Sequence, residues 1–461
     1  VKYACPPGSL PAGIEKRRGI PMYKIDFEKP IHIHFIGIGG ISMSGLAEIL
    51  LEEGFTVSGS DSKESPLTKK LESEGAQIAY GQKAENITPD IKCVVYTAAI
   101  SRSNPELIEA VAQKIPMLTR AELLGQLMKN YDTPIAVSGT HGKTTTTSMI
   151  SHILLEGNLD PTISVGGILK AIGGNIRVGN SETFITEACE YTNSFLHFFP
   201  KISVILNIEE DHLDFFKDLE DIRHSFHQFA ELLPEDGTLV INGDIKDYEE
   251  IFSGLNCNVV TYGSLAGFDY SADNITYDEK GHVSFDLIKH GEHTDHIVLS
   301  VTGDHNVSNA LSAIAVADLL DIPMDVTKRG LLSFSGTDRR FEYKGEFNGV
   351  TVVDDYAHHP TEIAATLKAA KHYPHDKVWC VFQPHTYTRT KAFFHEFADA
   401  LSHADHLVLA DIYAARETDT LGISSADLAE EVKKLGTDTH YFPSFGEIET
   451  FLKENCKPGD L

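Results

Sequence analysis

Positive charge is scarce in this 461-residue chain, with 39 Lys and Arg against 67 Asp and Glu and a formal charge of −28. A field of that sign repels nucleic acid and anionic membrane surfaces, so neither is expected as a partner. Any anionic ligand then needs a local cationic or N–H-lined pocket. Close cysteine spacing is also missing: Cys5, Cys93, Cys189, Cys257, Cys380 and Cys456 stand far apart. That argues against a disulfide framework or a cysteine zinc site and fits a reducing cytoplasm. No apolar run approaches the ~20 residues that span a bilayer, and the first 21 residues carry no apolar core of a signal peptide. What remains is ordinary for a globular protein: 42% hydrophobic and 23% charged residues, in a length that suits roughly two to four domains.

The most informative stretch is Ser138-Gly139-Thr140-His141-Gly142-Lys143-Thr144-Thr145. Before it, Pro134–Val137 is a short apolar run that reads as a buried strand. After it, Ser148–Leu155 places apolar residues at helical spacing. Strand, glycine turn and helix together form a triphosphate cradle. The turn's N–H groups and the helix N-terminus face phosphate, the lysine reaches the outer phosphates, and the next hydroxyl can meet Mg2+. Val137 stands where the common pattern has glycine, so this is a shorter variant of that loop.

Three segments follow from the patterning. In the first, strands at Ile31–Ile36, Phe55–Asp61 and Cys93–Thr97 alternate with a helix through Met43–Leu51, a Rossmann-like sign. Gly37-Ile38-Gly39-Gly40 forms its first turn. Ser42 occupies a position where the dinucleotide fingerprint has glycine, and Asp61 falls where a carboxylate commonly meets a ribose hydroxyl. The second segment carries the phosphate loop and a β-rich insertion between Gly263 and Gly303. The third, from near Gly336, reads as strand Val350–Val353, helix Thr361–Ala370, strand Val378–Phe382, helix Ala392–Leu401 and strand His406–Leu409.

Acidic and histidine clusters end several of these strands. Glu187-Ala188-Cys189-Glu190 and Glu209–Asp214 lie at strand C-terminal ends, the edge where open α/β sheets place ligands. Carboxylates there suit Mg2+ on a triphosphate, and a solvated acidic turn accounts for either cluster equally well. His358 and His359 have no third neighbour to complete a zinc set, so a satisfied core or capping histidine is the simpler reading. Arg339 and Arg340 stand at the boundary of the last two segments, within reach of a nucleotide held next door.

Eight ordered motifs carry a resemblance. They are Gly37–Gly45, Gly139–Thr145, Glu187–Glu190 with Ser194-Phe195-Leu196, Asn207–His212, Gly303–Asn309, Asp338–Glu342, Asp355–Pro360 and Phe382–His385. Together they resemble the Mur ligase family, and within it the branch that adds L-alanine to UDP-N-acetylmuramate. The resemblance implies an α/β chain of three domains. These are a Rossmann-like UDP-sugar-binding domain at 22–128, a central phosphate-loop ATPase α/β domain at 129–335, and a Rossmann-like C-terminal domain at 336–461 that closes on the amino acid. It implies ATP and Mg2+ as cofactors, an acyl-phosphate intermediate, a cytoplasmic monomer or homodimer, and a place in peptidoglycan precursor synthesis.

The residue roles it implies are these. Gly139, Thr140, His141, Gly142, Lys143, Thr144 and Thr145 hold the phosphates, with His305, Asn306, Asn309, Arg340 and Asp355 around the rest of ATP. Thr144, Glu187 and His212 hold metal, and Lys143, Glu187, His212, His358 and Arg389 act in catalysis. Gly37, Gly39, Gly40, Ser42 and Asp61 take the UDP-sugar; Tyr356, His358, His385 and Arg389 take the amino acid. Departures from the family pattern are Cys189 and Tyr191-Thr192-Asn193 beside the metal glutamate, and Thr386 where many relatives carry arginine. Residues 1–21 read as a non-native or disordered extension before Met22. Lys457–Leu461 reads as the entry to a further strand of a truncated third domain. A sister ligase that adds a preformed peptide, and a nucleotide-binding regulator with a dead site, are the alternatives.

Overall fold

A computed structural model describes residues 23–461 except 98, 99, 214 and 416; the expected extension at 1–21 lies outside the described residues. The first segment forms β1 (His32–Ile36), α1 (Ile41–Glu52), β2 (Thr56–Asp61), α2 (Pro66–Ser73), β3 (Gln77–Tyr80), β4 (Cys93–Tyr96), α3 (Pro105–Ala112), β5 (Met117–Thr119) and α4 (Arg120–Met128). All five strands run parallel in the order β3-β2-β1-β4-β5. Strand order reverses between β1 and β4, so a crevice opens outside their carboxyl ends, beside the Gly37–Gly40 turn. Helix starts are marked locally. Ser65 and Thr68 form a capping box before α2, as do Thr119 and Glu122 at α4.

The second segment forms β6 (Thr133–Ser138), α5 (Lys143–Glu156), β7 (Thr162–Leu169), β8 (Gly174–Arg177), β9 (Thr183–Ala188), β10 (Ile202–Ile205), α6 (Leu219–Ala230), β11 (Thr238–Asn242) and β12 (Asn258–Tyr262). Then come β13 (Tyr270–Tyr277), β14 (His282–Lys289), β15 (Glu292–Thr302), α7 (His305–Leu319) and α8 (Met324–Ser333). One ten-stranded sheet holds them, ordered β15-β14-β13-β12-β11-β10-β6-β9-β7-β8. The expected β-rich insertion is present as β13–β15, an antiparallel meander that extends the same sheet. Beneath the phosphate loop, Ile135, Val137, Ile150, Ile153, Ile185 and Val204 pack with Leu311 and Ile314 of α7 in one buried cluster.

The third segment forms β16 (Glu342–Phe347), β17 (Val350–Asp354), α9 (Pro360–Ala370), β18 (Trp379–Phe382), α10 (Tyr387–Ala392), α11 (Phe394–Leu401), β19 (His406–Leu409), α12 (Ser425–Lys434), β20 (Asp438–Tyr441) and α13 (Phe445–Asn455). The expected Val350 strand and Ala392–Leu401 helix are both present, and the structure adds two details. The Val350 strand does not join the parallel β18-β19-β20 sheet but pairs antiparallel with β16 as a separate hairpin. The helix read as Ala392–Leu401 is present as α11, and a short α10 that the reading did not include precedes it; the two are separated at Phe393 (φ −111°, ψ 31°), whose ring meets His359 edge-on at 4.9 Å. At the chain's last residues, Gly459 N–H donates to Gly349 O (2.8 Å) and Leu461 N–H to Lys377 O (2.9 Å), tying the hairpin to the β18 end.

The first two segments are packed without a gap. Asn175 Nδ2 donates to Ile41 O at the start of α1 (2.8 Å). Gly125 of α4 lies so close to the backbone after Glu190 that a Cβ there would stand 1.9 Å from His197 O. Only glycine permits that approach. Among the described residues no helix is long and apolar enough to cross a membrane.

Candidate active site

Lys143 opens α5 directly behind Gly142, which caps the helix at φ +84° without a side-chain partner. A Cβ on Gly142 would meet Asn309 Oδ1 at 2.8 Å, so glycine is required for both conformation and space. The loop is pinned from the next strand. Asn207 Oδ1 accepts from His141 N–H at 2.7 Å, its Nδ2 donates to His141 O at 3.1 Å, and Thr140 N–H reaches Asn207 O at 3.2 Å. Lys143 Nζ donates to Gly139 O, to Thr140 O (3.0 Å) and to Glu190 Oε2 (3.0 Å). Burial alone would depress this ammonium, but the Glu190 carboxylate outweighs it and holds the pKa above its usual value. A charged lysine, an uncapped helix N-terminus and a glycine turn make an anion site built for phosphates.

Thr144 and Glu187 meet as expected: Thr144 Oγ1 donates to Glu187 Oε2 at 3.1 Å, and Gly166 N–H donates to Oε1 at 2.5 Å. His212 is placed otherwise. Its Nε2 lies 3.7 Å from Glu190 Oε1 and 3.7 Å from Asp211 Oδ2, and its ring stacks on Tyr191 at 4.4 Å. It therefore joins the Lys143–Glu190 pair, and no contact with Glu187 is formed among the described residues. One group of His, Cys, Asp or Glu side chains has ligand atoms mutually within 4.8 Å among those residues: His141, Glu209 and His359. Within it His141 forms ion pairs, to Glu209 and also to Glu362 outside the group. His141 lies 3.5 Å from Glu209 and 3.2 Å from Glu362; against the cost of burial these carboxylates lift it to about 9, so it is protonated near neutrality.

A cavity of about 600 Å³ opens beside the loop, between the second and third segments. His141, Gly142 and Thr145 line its loop end; His305, Asn306, Asn309, Arg340 and Asp355, also expected around ATP, line other parts of it. Burial keeps the His305 imidazole below its usual pKa, favouring the neutral form. Asp355 accepts from Phe341 N–H (2.8 Å) and Ala357 N–H (2.7 Å), while burial raises its pKa.

The amino-acid residues form a continuous chain. Tyr356 and His358 rings are 5.1 Å apart, His358 and His385 rings 6.2 Å, and Arg389 Nη1 is 3.3 Å from His385 Nδ1. Arg389 Nη2 then donates to Asp211 Oδ1 at 3.0 Å, crossing to the second segment. Held by that guanidinium and by His212 against the effect of burial, Asp211 titrates at about 2. Tyr356 is 47% exposed and lies under both guanidinium groups of Arg339 and Arg340, at 4.9 and 5.5 Å.

In the first segment, Gly37 (φ +82°) and Ile38 donate to Ser60 O, and Gly40 leaves the α1 N-terminus without a side-chain cap. Ser42 lies in the first turn of that helix. Asp61 Oδ2 accepts from Gly39 N–H at 2.9 Å and Oδ1 from Ser62 N–H at 2.7 Å. It shapes the turn, and only its remaining lone pairs are open to a ribose.

Two functional residues went unassigned from sequence. Glu362 reaches His141, Arg340 (3.7 Å) and His358 (3.4 Å), and it sits at the third position of α9 behind a capping residue and Pro360. That is the pattern of a capping box, a signal readable in advance. Asn207 clamps the loop across the sheet; the motif Asn207–His212 marked it, and only the structure shows what it holds.

Comparison with known proteins follows the same three-part division. Profiles described as "Mur ligase family, catalytic domain", "Mur ligase middle domain" and "Mur ligase, glutamate ligase domain" match residues 32–132, 137–317 and 339–461. A UDP-N-acetylmuramate–L-alanine ligase of Agathobacter rectalis is 63% identical over 440 residues, 95% of this chain and 96% of its own. One of Lachnospira eligens is 62% identical over 441 residues, with the same coverage. Among solved structures, the UDP-N-acetylmuramate-alanine ligase of Thermotoga maritima superposes with a TM-score of 0.77 at 28% identity, covering 93% of this chain and 94% of that one. The murein peptide ligase of Psychrobacter arcticus gives 0.69 at 26%, with the same coverage. With its phosphate loop, its interdomain cavity and all three matched domains in one order, the chain belongs to the Mur ligase family.

Proposed function

We propose that the chain is an ATP-dependent ligase that joins L-alanine to the carboxylate of UDP-N-acetylmuramate, in peptidoglycan precursor synthesis. The observation that carries this reading is the match, at 63% and 62% identity over nearly the whole chain, to ligases of that activity. The geometry supports it residue by residue. A carboxylate is a poor electrophile. One of its oxygens attacks the γ-phosphorus of ATP, the bond from that phosphorus to the β–γ bridging oxygen breaks, and ADP leaves with the electron pair. The acyl phosphate so formed is then attacked by the amino group of alanine, and phosphate departs from the tetrahedral intermediate.

Lys143 keeps its positive charge for the transferring phosphoryl group, and its bonds to Gly139 O and Thr140 O aim it along the loop. The Thr144 hydroxyl and Glu187 carboxylate, already in contact, are an oxygen donor pair that fits Mg2+ bound to phosphate. When bound, that ion neutralises charge on the triphosphate. His358 is suited to take the proton of the alanine ammonium. Its Nδ1–H donates to Tyr356 O at 2.9 Å, which leaves Nε2 as the basic atom, and burial holds its pKa below the usual value. Arg389 would share its fork between Asp211 and the alanine carboxylate. Monomer and homodimer fit this chemistry equally.

The decisive assay is phosphate release from ATP in the presence of UDP-N-acetylmuramate, scanned over amino acids and peptides. L-alanine is expected to be used best, with L-serine and glycine slower by roughly 10–200-fold. Preference for a tripeptide would favour the sister activity carried by the murein peptide ligase instead. No phosphate release with any acceptor would support a regulator with a dead site.

A further inference from the structure

Glu362 makes more contacts than the start of a helix requires. At the third position of α9 its carboxylate accepts from His359 N–H at 3.4 Å, which closes the capping box, and from His358 N–H at 3.0 Å. The same oxygen, Oε2, stands 3.4 Å from His358 Nδ1, and Tyr356 O stands 2.9 Å from that nitrogen. Both neighbours of Nδ1 can only accept hydrogen bonds. The proton of the neutral imidazole therefore sits on Nδ1, and Nε2 keeps its lone pair. The other oxygen, Oε1, faces His141 Nδ1 at 3.2 Å and Arg340 Nη1 at 3.7 Å. Burial opposes the charge of this carboxylate; His141, His358 and Arg340 outweigh it and keep Glu362 ionised.

Alanine arrives as an ammonium ion and attacks only as a free amine. When its proton passes to His358 Nε2, the N–H bond breaks and the electron pair stays on the alanine nitrogen. The imidazole becomes a cation with both ring nitrogens protonated. That cation forms in a poor place, because burial and the Arg389 guanidinium of α10 both oppose it. Two carboxylates favour it, Glu362 more than Asp211 of the second domain. The rings of Tyr356 and His385, at 5.1 and 6.2 Å, complete the titratable groups around it. Glu362 is the one of these held against His358 by a backbone bond as well as by charge.

We propose that Glu362 is the positioning residue of His358: it fixes the tautomer that leaves Nε2 basic and stabilises the imidazolium formed as alanine loses its proton. The assignment rests on the function proposed above. Its test is kcat/KM for alanine between pH 5 and 9, read by phosphate release with ATP and UDP-N-acetylmuramate saturating. Neutral His358 is the active form, so activity falls on the acid side as the ring protonates, whereas His141, at about 9, titrates on the alkaline side. In Glu362→Gln the ring loses its anion and its pKa drops, so the acid limb should move down by about one pH unit. The plateau should fall roughly threefold to tenfold, because the base is weaker. Glutamine still serves a capping box, so the start of α9 is kept. Glu362→Asp retains the charge at shorter reach and should give a smaller shift in the same direction, which also covers a Gln variant that does not fold. His358→Gln should abolish the limb. Lower activity at every pH with the limb unmoved in both Glu362 variants would make Glu362 a cap alone, while the reading of His358 as the base stands. A wild-type limb in His358→Gln would overturn that base assignment and this proposal with it.

Discussion

Raising the pH from 6 to 9.5 is expected to loosen the contact between the second and third domains, through His141. This imidazole lies in the phosphate loop with one nitrogen 3.5 Å from Glu209 and the other 3.2 Å from Glu362 of α9. Burial opposes its charge, and the two carboxylates overcome that opposition and move its pKa from 6.5 to about 9. Because the folded value is raised, the contribution to stability is complete below about pH 6.5 and disappears as pH climbs through 9. A shift of that size corresponds to about 3 kcal/mol; shared across a coupled trio, about 1–3 kcal/mol remains attributable to His141 itself. Glu209 and Glu362 both have lowered pKa values and stay ionised throughout this window, so its sign comes from the imidazole.

The perturbation is His141→Gln, which keeps polar reach and cannot carry charge. Thermal unfolding of both proteins would be followed at pH 6, 7.5 and 9.5. Other histidines titrate in the same range, and taking the difference between the two proteins removes them. The wild-type chain should melt higher by ~2–6 °C at pH 6 and converge with the variant by pH 9.5. A difference that stays constant across the series would refute the ion-pair account and leave His141 a packing residue.

Lys143→Ala should lower ligation a hundredfold or more while leaving UDP-sugar binding intact, since the two ligands meet different domains; near wild-type turnover would undo the phosphate-loop assignment. His212→Ala separates two roles. If the residue ligates Mg2+ in the working enzyme, the metal requirement rises more than the alanine requirement. Superimposed metal titrations would mark it instead as a prop for Glu190, the contact it makes in this structure. Arg389→Lys should raise the KM for alanine by roughly tenfold, because a point charge cannot bridge both Asp211 and a substrate carboxylate; an unchanged KM would assign Arg389 to domain closure alone.

Features encoded within a dozen residues were legible in the sequence, and those created by chain crossings were not. An apolar run, a glycine turn and a helical repeat are local, so β6, the loop and α5 fall where expected. Eight of the twelve residues assigned to ATP line one cavity although they come from two domains. Phe393 separates α10 from α11, and the contact its ring makes is distant in sequence: His359 at 4.9 Å. The Val350 strand has the composition of any sheet strand. Pairing with Glu342–Phe347 across a short turn decides its fate, and composition carries no record of that choice.

The segment Glu209-Glu210-Asp211-His212 shows how the fold turns separate motifs into one site. Each residue in it reaches a different part of the protein. Glu209 accepts from Thr361 Oγ1 at 2.7 Å and faces His141, while Glu210 O accepts from His359 Nε2–H at 3.1 Å. Asp211 takes Arg389, and His212 meets Glu190, the counter-ion of Lys143. Four consecutive residues thus connect the phosphate loop to the start of α9 and to α10. His212 adopts φ +53°, which turns its side chain toward Glu190 while Asp211 points across the domain boundary. A short loop held by so many partners cannot shift at one end alone, so substitutions within it should change the ATP and alanine requirements together and combine non-additively. Substitutions at the Gly37–Gly40 turn lie outside this connection and should change the UDP-sugar requirement by itself. Additive effects of Asp211→Asn and His212→Ala on both substrates would contradict the coupling that this geometry imposes.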